Sequence, residues 1–195
     1  WETLSNTLRL YVEAHTDFAA LYEVDRPDAV TRQDRTLEGK LEKFHSLYDV
    51  TKDLPGFDYF KHADTSLLIV LRNAIHHRDH PLFVGWEAFV LAHEETKNLP
   101  SSKYLFASLT PESERIVLRY YLPLEDFRQR LPHAKLKPAD RTAISALWEQ
   151  ELRFADISKV AERDGFDVQS VYVDVMPMFI SAMHRVRGWL STTDF

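Results

Sequence analysis

A chain of 195 residues is long enough to bury a sizeable core and short for two domains. Its formal charge of -6 excludes a protein that coats nucleic acid non-specifically, since phosphate binding at large rests on accumulated Lys and Arg, but it leaves room for a local site. The absence of cysteine removes disulfides, thiolate nucleophiles and Cys-based zinc sites, and it fits a reducing cytosol. With only 5 Gly, and with 9 Pro placed mostly between periodic segments, the chain reads as all-α: a helical bundle joined by short connections. No apolar run is long enough for a membrane span, and Trp1-Glu2-Thr3 lacks the pattern of a signal peptide, so the expected location is cytoplasmic with no membrane partner.

In chain order, Leu4, Leu8, Tyr11, His15, Phe18 and Tyr22 form one stripe of an amphipathic helix. Asp25-Arg26-Pro27-Asp28 breaks it, and Leu37, Leu41, Phe44, Tyr48 and Thr51 form the stripe of a second helix that packs antiparallel to the first. Beyond the aromatic piece Phe57-Asp58-Tyr59-Phe60, Asp64 or Thr65 is expected to cap a third helix that ends before Pro81. A fourth is expected from about Gly85 to Lys97, and Asn98-Leu99-Pro100-Ser101-Ser102 reads as a seam. The organisation expected is therefore a helical core over 1–97 and a helical extension over 98–195 packed on it as one compact unit.

In that extension, Thr110-Pro111-Glu112 opens a helix to about Tyr121, Leu124 to Leu131 forms a short one, and Lys137 to Phe154 and Asp156 to Arg163 form two more. The last segment carries β-branched residues, yet Val168, Val171, Val175, Phe179, Ala182, Val186 and Leu190 fit one helical face, interrupted at Pro177.

The third helix concentrates the unusual chemistry. Leu67, Leu68, Leu71, Ala74 and Ile75 form its core-facing side, while Arg72, Asn73, His76, His77 and His80 share the opposite one. Asn73 and His77 stand one turn apart, so the amide can orient the imidazole. An Arg, a polar residue and a His five positions after the Arg resemble the motif of the HEPN superfamily, Arg followed by four to six residues and His, carried here by Arg72, Asn73 and His77. The resemblance covers mainly residues 1–97. It implies a helical domain with up-and-down helices, RNA as the partner, a homodimer whose Arg–His motifs face one cleft, and metal-independent endoribonuclease activity without a cofactor. It also implies a place in a defence or toxin–antitoxin system, with an antitoxin or regulatory partner. In that chemistry the ribose 2′-hydroxyl attacks the neighbouring phosphate, His77 moves a proton, Arg72 steadies phosphoryl charge, and Asn73, His76 and His80 support them.

Two other stretches match the loose pattern. Arg128 and His133 are interrupted by Pro132, and Arg9 and His15 place the histidine on the apolar seam. His76 and His80 have the spacing of a helical zinc pair, with Asp79 beside them, but no Glu follows His76 as a metalloprotease pattern requires, so no metal is assigned. His77-Arg78-Asp79 lacks the Gly-rich loop of a kinase. A different reading, a non-catalytic interaction module or transcriptional regulator, rests on a helix-turn-helix-like segment at 157–176, with Ala161, Gly165 and Val171 at the expected spacing and Val168 opening a recognition helix. Asp164, Asp167 and Asp174 put negative charge where phosphates would approach.

Overall fold

The computed structural model describes residues 2–76, 82–96, 103–109 and 118–192. Helix α1 (Glu2–Val24) and helix α2 (Arg26–Thr51) form an antiparallel hairpin with a single residue between them. That residue, Asp25, is extended at φ -149°, and its carboxylate accepts the Asp28 N–H at 3.0 Å, while Pro27 fits the first turn, where its missing N–H costs nothing. The cap starts α2 at Arg26, well before the stripe at Leu37. Ala29 and Val30 are buried inside the hairpin but stand outside the main core cluster, so this end of the pair is held together by its own contacts.

A 3-10 turn, Tyr59–Lys61, leads into α3 (Ala63–His76). Every residue of α3 from Ala63 to Leu71 is buried. A helix covered all round needs neighbours on every side, and α2, α5, α6 and α8 supply them. Each fully buried Leu, Ile or Val contributes roughly 1.5–3 kcal/mol, which makes α3 the axis of the fold. Burial eases where the polar side is expected: Arg72 and Asn73 are half-buried and His76 is exposed, while His77 and His80 lie outside the described residues.

Helix α4 (Trp86–Thr96) follows Gly85, whose Cβ would lie 2.7 Å from the Tyr120 hydroxyl, so only glycine allows that approach. Helices α5 (Leu124–Arg130), α6 (Pro138–Glu151) and α7 (Phe154–Arg163) fall close to the expected spans. Arg153 takes a left-handed conformation at φ 57° to turn the chain between α6 and α7, and Gly165 does the same after α7 at φ 71°. The last helix is α8 (Met176–Leu190). Phe127, Trp148 and Phe154 pack edge-on and tilted in the core, where Trp148 Nε1 donates to Ser66 Oγ of α3 at 3.0 Å.

The helical expectation holds in its coarse form, with eight α-helices among the described residues. Three short strands are added to it. Strand β1 (Leu105–Ala107) pairs in parallel with β3 (Val171–Asp174), and β2 (Tyr121–Pro123) pairs with β3 in antiparallel, giving the order β1-β3-β2. Residues 168–174 are thus not helical: Val168–Ser170 is a 3-10 turn and Val171–Asp174 is the central strand, buried throughout. The β-branched and aromatic run Val171-Tyr172-Val173 fits a pleated site covered on both faces. Asp174 ends it by accepting the Tyr120 N–H at 3.0 Å, the Met176 N–H at 3.1 Å and the Ser108 hydroxyl at 2.9 Å. Pro177, expected to interrupt a helix, sits in the first turn of α8. Tyr121, expected at a helix end, lies on β2, and the helix expected to start at Thr110 falls on residues outside those described.

Asp64 is not a cap but a first-turn residue of α3, and its buried carboxylate accepts from Ser181 at 2.6 Å and from Arg185 at 3.2 Å, both on α8. The hydrophobic cluster runs without a break from Leu4 on α1 to Val186 on α8 and draws on both sides of the expected seam.

Candidate functional site

The end of α3 meets α2 side by side. Arg72 donates from Nε to Glu42 Oε1 at 3.1 Å and from Nη2 to Glu42 Oε2 at 2.9 Å, a two-point clamp across the helix pair. Nη1 donates to the Asn73 side-chain oxygen at 3.2 Å. Three of the five guanidinium N–H groups are thereby used, and among the described residues one N–H on each terminal nitrogen is left for another acceptor. The Arg72 side chain is only 18% exposed, whereas Glu42 is 45% exposed, so the arginine is the better anchored partner.

His76, one turn further on, brings Nδ1 to 3.4 Å from Glu42 Oε1 and is 57% exposed. These groups rim a cleft of about 280 Å³ lined by Glu38, Leu41, Glu42, Arg72, Ile75 and His76. Partial burial works to raise the Glu42 carboxyl, but the hydrogen bonds and charge of Arg72, with His76 and His45 nearby, hold it below the usual carboxylate range. His45, one turn along α2 from Glu42, is pushed down by burial and by the Arg72 charge, and stays neutral near physiological pH. Its Nε2 lies 3.6 Å from Asp49, and its Nδ1 has no hydrogen-bond partner among the described residues.

Of the residues singled out by sequence, Arg72, Asn73 and His76 come together here. His77 and His80 lie outside the described residues. So does one half of the His76–His80 pair considered for zinc, and no group of three metal-binding side chains occurs among the described residues. The rival arginines behave differently. Arg128 is clamped by Glu149 at 2.9 and 2.8 Å and faces Glu125 and the Phe154 carbonyl, and Arg9 forms a surface pair with Glu13. The 157–176 segment does not form two helices. Only α7 is present, and the proposed recognition helix is a 3-10 turn followed by the buried centre of the sheet, so Val171 and Val173 cannot enter a groove.

Sequence reasoning missed Glu42 and Glu38, which reach the site from a helix some thirty residues earlier. It also missed Lys40. This side chain is 0% exposed, with Nζ 2.9 Å from the Met176 sulfur, 3.3 Å from the Tyr11 ring centre and 4.8 Å from that of Phe179. Burial drives its amine toward the neutral form, with Asp174 pulling the other way. Lys40 occupies the helical stripe between Leu37 and Leu41, which is the signal that could have found it.

No helix among the described residues is long and apolar enough to cross a membrane. Comparison of the chain with protein-family models, with curated proteins and with solved structures returns no match.

Proposed function

We propose that this chain is a HEPN-like RNA-binding protein that cleaves RNA without a metal, using Arg72 and His77. The observation that supports the reading is the state of Arg72: a guanidinium locked in place at the rim of a cleft, with one N–H on each terminal nitrogen uncommitted among the described residues, is suited to two oxygens of a phosphate. In the step envisaged, the ribose 2′-oxygen bonds to phosphorus as a general base takes its proton. The 5′-oxygen then leaves with a proton from a general acid, giving a 2′,3′-cyclic phosphate and a 5′-hydroxyl. His77 serves as one of the two proton carriers, His76 and His80 are assigned supporting roles, and Arg72 offsets charge on the non-bridging oxygens.

A homodimer belongs to this reading because the resemblance implies two Arg–His motifs facing one cleft; a second copy would bring the same Glu38 and Glu42 with its Arg72. A defence or toxin-type role, with a partner that covers the cleft until it is needed, belongs to the same proposal.

A purified wild-type protein incubated with end-labelled single-stranded RNA in excess chelator should yield fragments ending in cyclic phosphate, and Arg72→Ala/His77→Ala should yield none. Cleavage that survives the double change, or that stops on chelation, contradicts the nuclease. RNA binding without cleavage in the wild type would leave a non-catalytic RNA-binding module.

A further inference from the structure

We propose that Glu42 is a positioning residue of the RNA site: it strengthens phosphate binding although it is itself an anion. The inference rests on the reading of Arg72 as the phosphate contact. A carboxylate beside a phosphate should by charge alone repel it. Glu42, however, is spent on the Nε and Nη2 side of Arg72, while Asn73 takes Nη1. A loose arginine side chain holds rotamer entropy, and binding through a loose guanidinium must lose it. Two hydrogen bonds to Glu42 remove that freedom beforehand and aim the remaining N–H groups together. Glu42 Oε1 also lies 3.4 Å from His76 Nδ1, so the same carboxylate faces both the guanidinium and the imidazole on the rim.

The molecule contains its own control. Glu149 clamps Arg128 with the same two-point geometry between α5 and α6, away from the cleft. If Glu42 only staples helices together, removing it should resemble removing Glu149.

The test measures affinity for a fluorescein-labelled 2′-O-methyl RNA of about 20 nucleotides, which cannot undergo 2′-hydroxyl attack. The proteins are wild type, Glu42→Ala, Glu42→Gln, Glu149→Ala and Arg72→Ala, each with its thermal midpoint recorded. Positioning requires Glu42→Ala to bind about tenfold more weakly despite losing a negative charge, Glu42→Gln to recover part of the loss through its one remaining oxygen, and Glu149→Ala to bind as wild type. Equal or tighter binding by a folded Glu42→Ala, or by Glu42→Gln should the alanine variant not fold, overturns the proposal while leaving the Arg72 reading standing. Equal losses in Glu42→Ala and Glu149→Ala overturn it in favour of a staple. An Arg72→Ala protein that binds as wild type removes the underlying reading as well.

Discussion

Arg72 and Arg128 look alike by most local criteria. Each has a histidine five positions later, each is less than a third exposed, and each is clamped through Nε and Nη2 by a glutamate from another helix. They differ in what surrounds the clamp. Arg128 is closed in by Glu125 and a backbone carbonyl, and the segment after it is a 3-10 turn around Pro132. Arg72 has an amide and a second histidine beside it and retains uncommitted N–H groups at the rim of a cleft. Cavity size points the other way, since the groove beside Arg128 measures about 740 Å³, with half of its ten lining residues apolar or proline and with Arg141 and Glu149 beside Arg128. Each arginine keeps two N–H groups out of hydrogen bonds among the described residues: those of Arg128 are on Nη1, which faces Glu125 at 3.8 Å, and those of Arg72, one on each terminal nitrogen, lie at the rim of the cleft, so the setting of the spare donors and not their number separates a site candidate from a staple.

The largest expected effect separates the two histidines. His77→Ala should lower RNA cleavage by about 100-fold or more, the range for losing a positioned acid or base, and His133→Ala should leave the rate unchanged. Equal effects would dissolve the contrast.

The staple side is tested by stability. Arg128→Ala strips two charge-assisted hydrogen bonds from a pair that is mostly buried, and should cost about 1–3 kcal/mol in denaturant unfolding with cleavage intact. A loss of cleavage without a loss of stability would move the site to Arg128.

Lys40 adds the third case, a cation with no carboxylate clamp. Lys40→Met should stabilise the fold by about 1–2 kcal/mol at neutral pH, because the native chain has to strip the amine of its proton or bury its charge. The sign of the pH dependence follows from the lowered amine value. Between the native value and about 10.4 the unfolded chain binds more protons, so wild-type stability climbs with pH across that window, and Lys40→Met should flatten the climb. A destabilised Lys40→Met would mean that the cage of Tyr11, Phe179 and Met176 favours the cation.

The smallest effect concerns His45 and His62. Burial lowers both, aided by Arg72 for the first and Arg185 for the second, so the unfolded chain takes up their protons first and stability should fall as pH drops below about 6.5. His45→Phe should remove part of that slope in pH-dependent unfolding, and an unchanged slope would place the ring in contact with water.

The helical stripes from Leu4 to Thr51 were legible because burial there is one-sided and periodic. The onset of α2 was less so, since Ala29 and Val30 in its first turns lie outside the main core cluster. β3 was hidden by its neighbour: Val168, Val171 and Val175 continue the stripe of α8, and a strand of four residues cannot outweigh a helix of fifteen in a periodicity count. Arg72, Asn73 and His76 were found because they cluster at one helix end. Glu42 was not, because a partner thirty residues away leaves no local trace.

Arginine side-chain NMR tests the central claim most directly. On adding 2′-O-methyl RNA to the labelled protein in chelator, the Nη–H resonances of Arg72, assigned by their loss in Arg72→Lys, should shift in proportion to bound RNA while those of Arg128 stay in place. A stationary Arg72 signal at saturating RNA, or movement at Arg128 instead, would contradict the account.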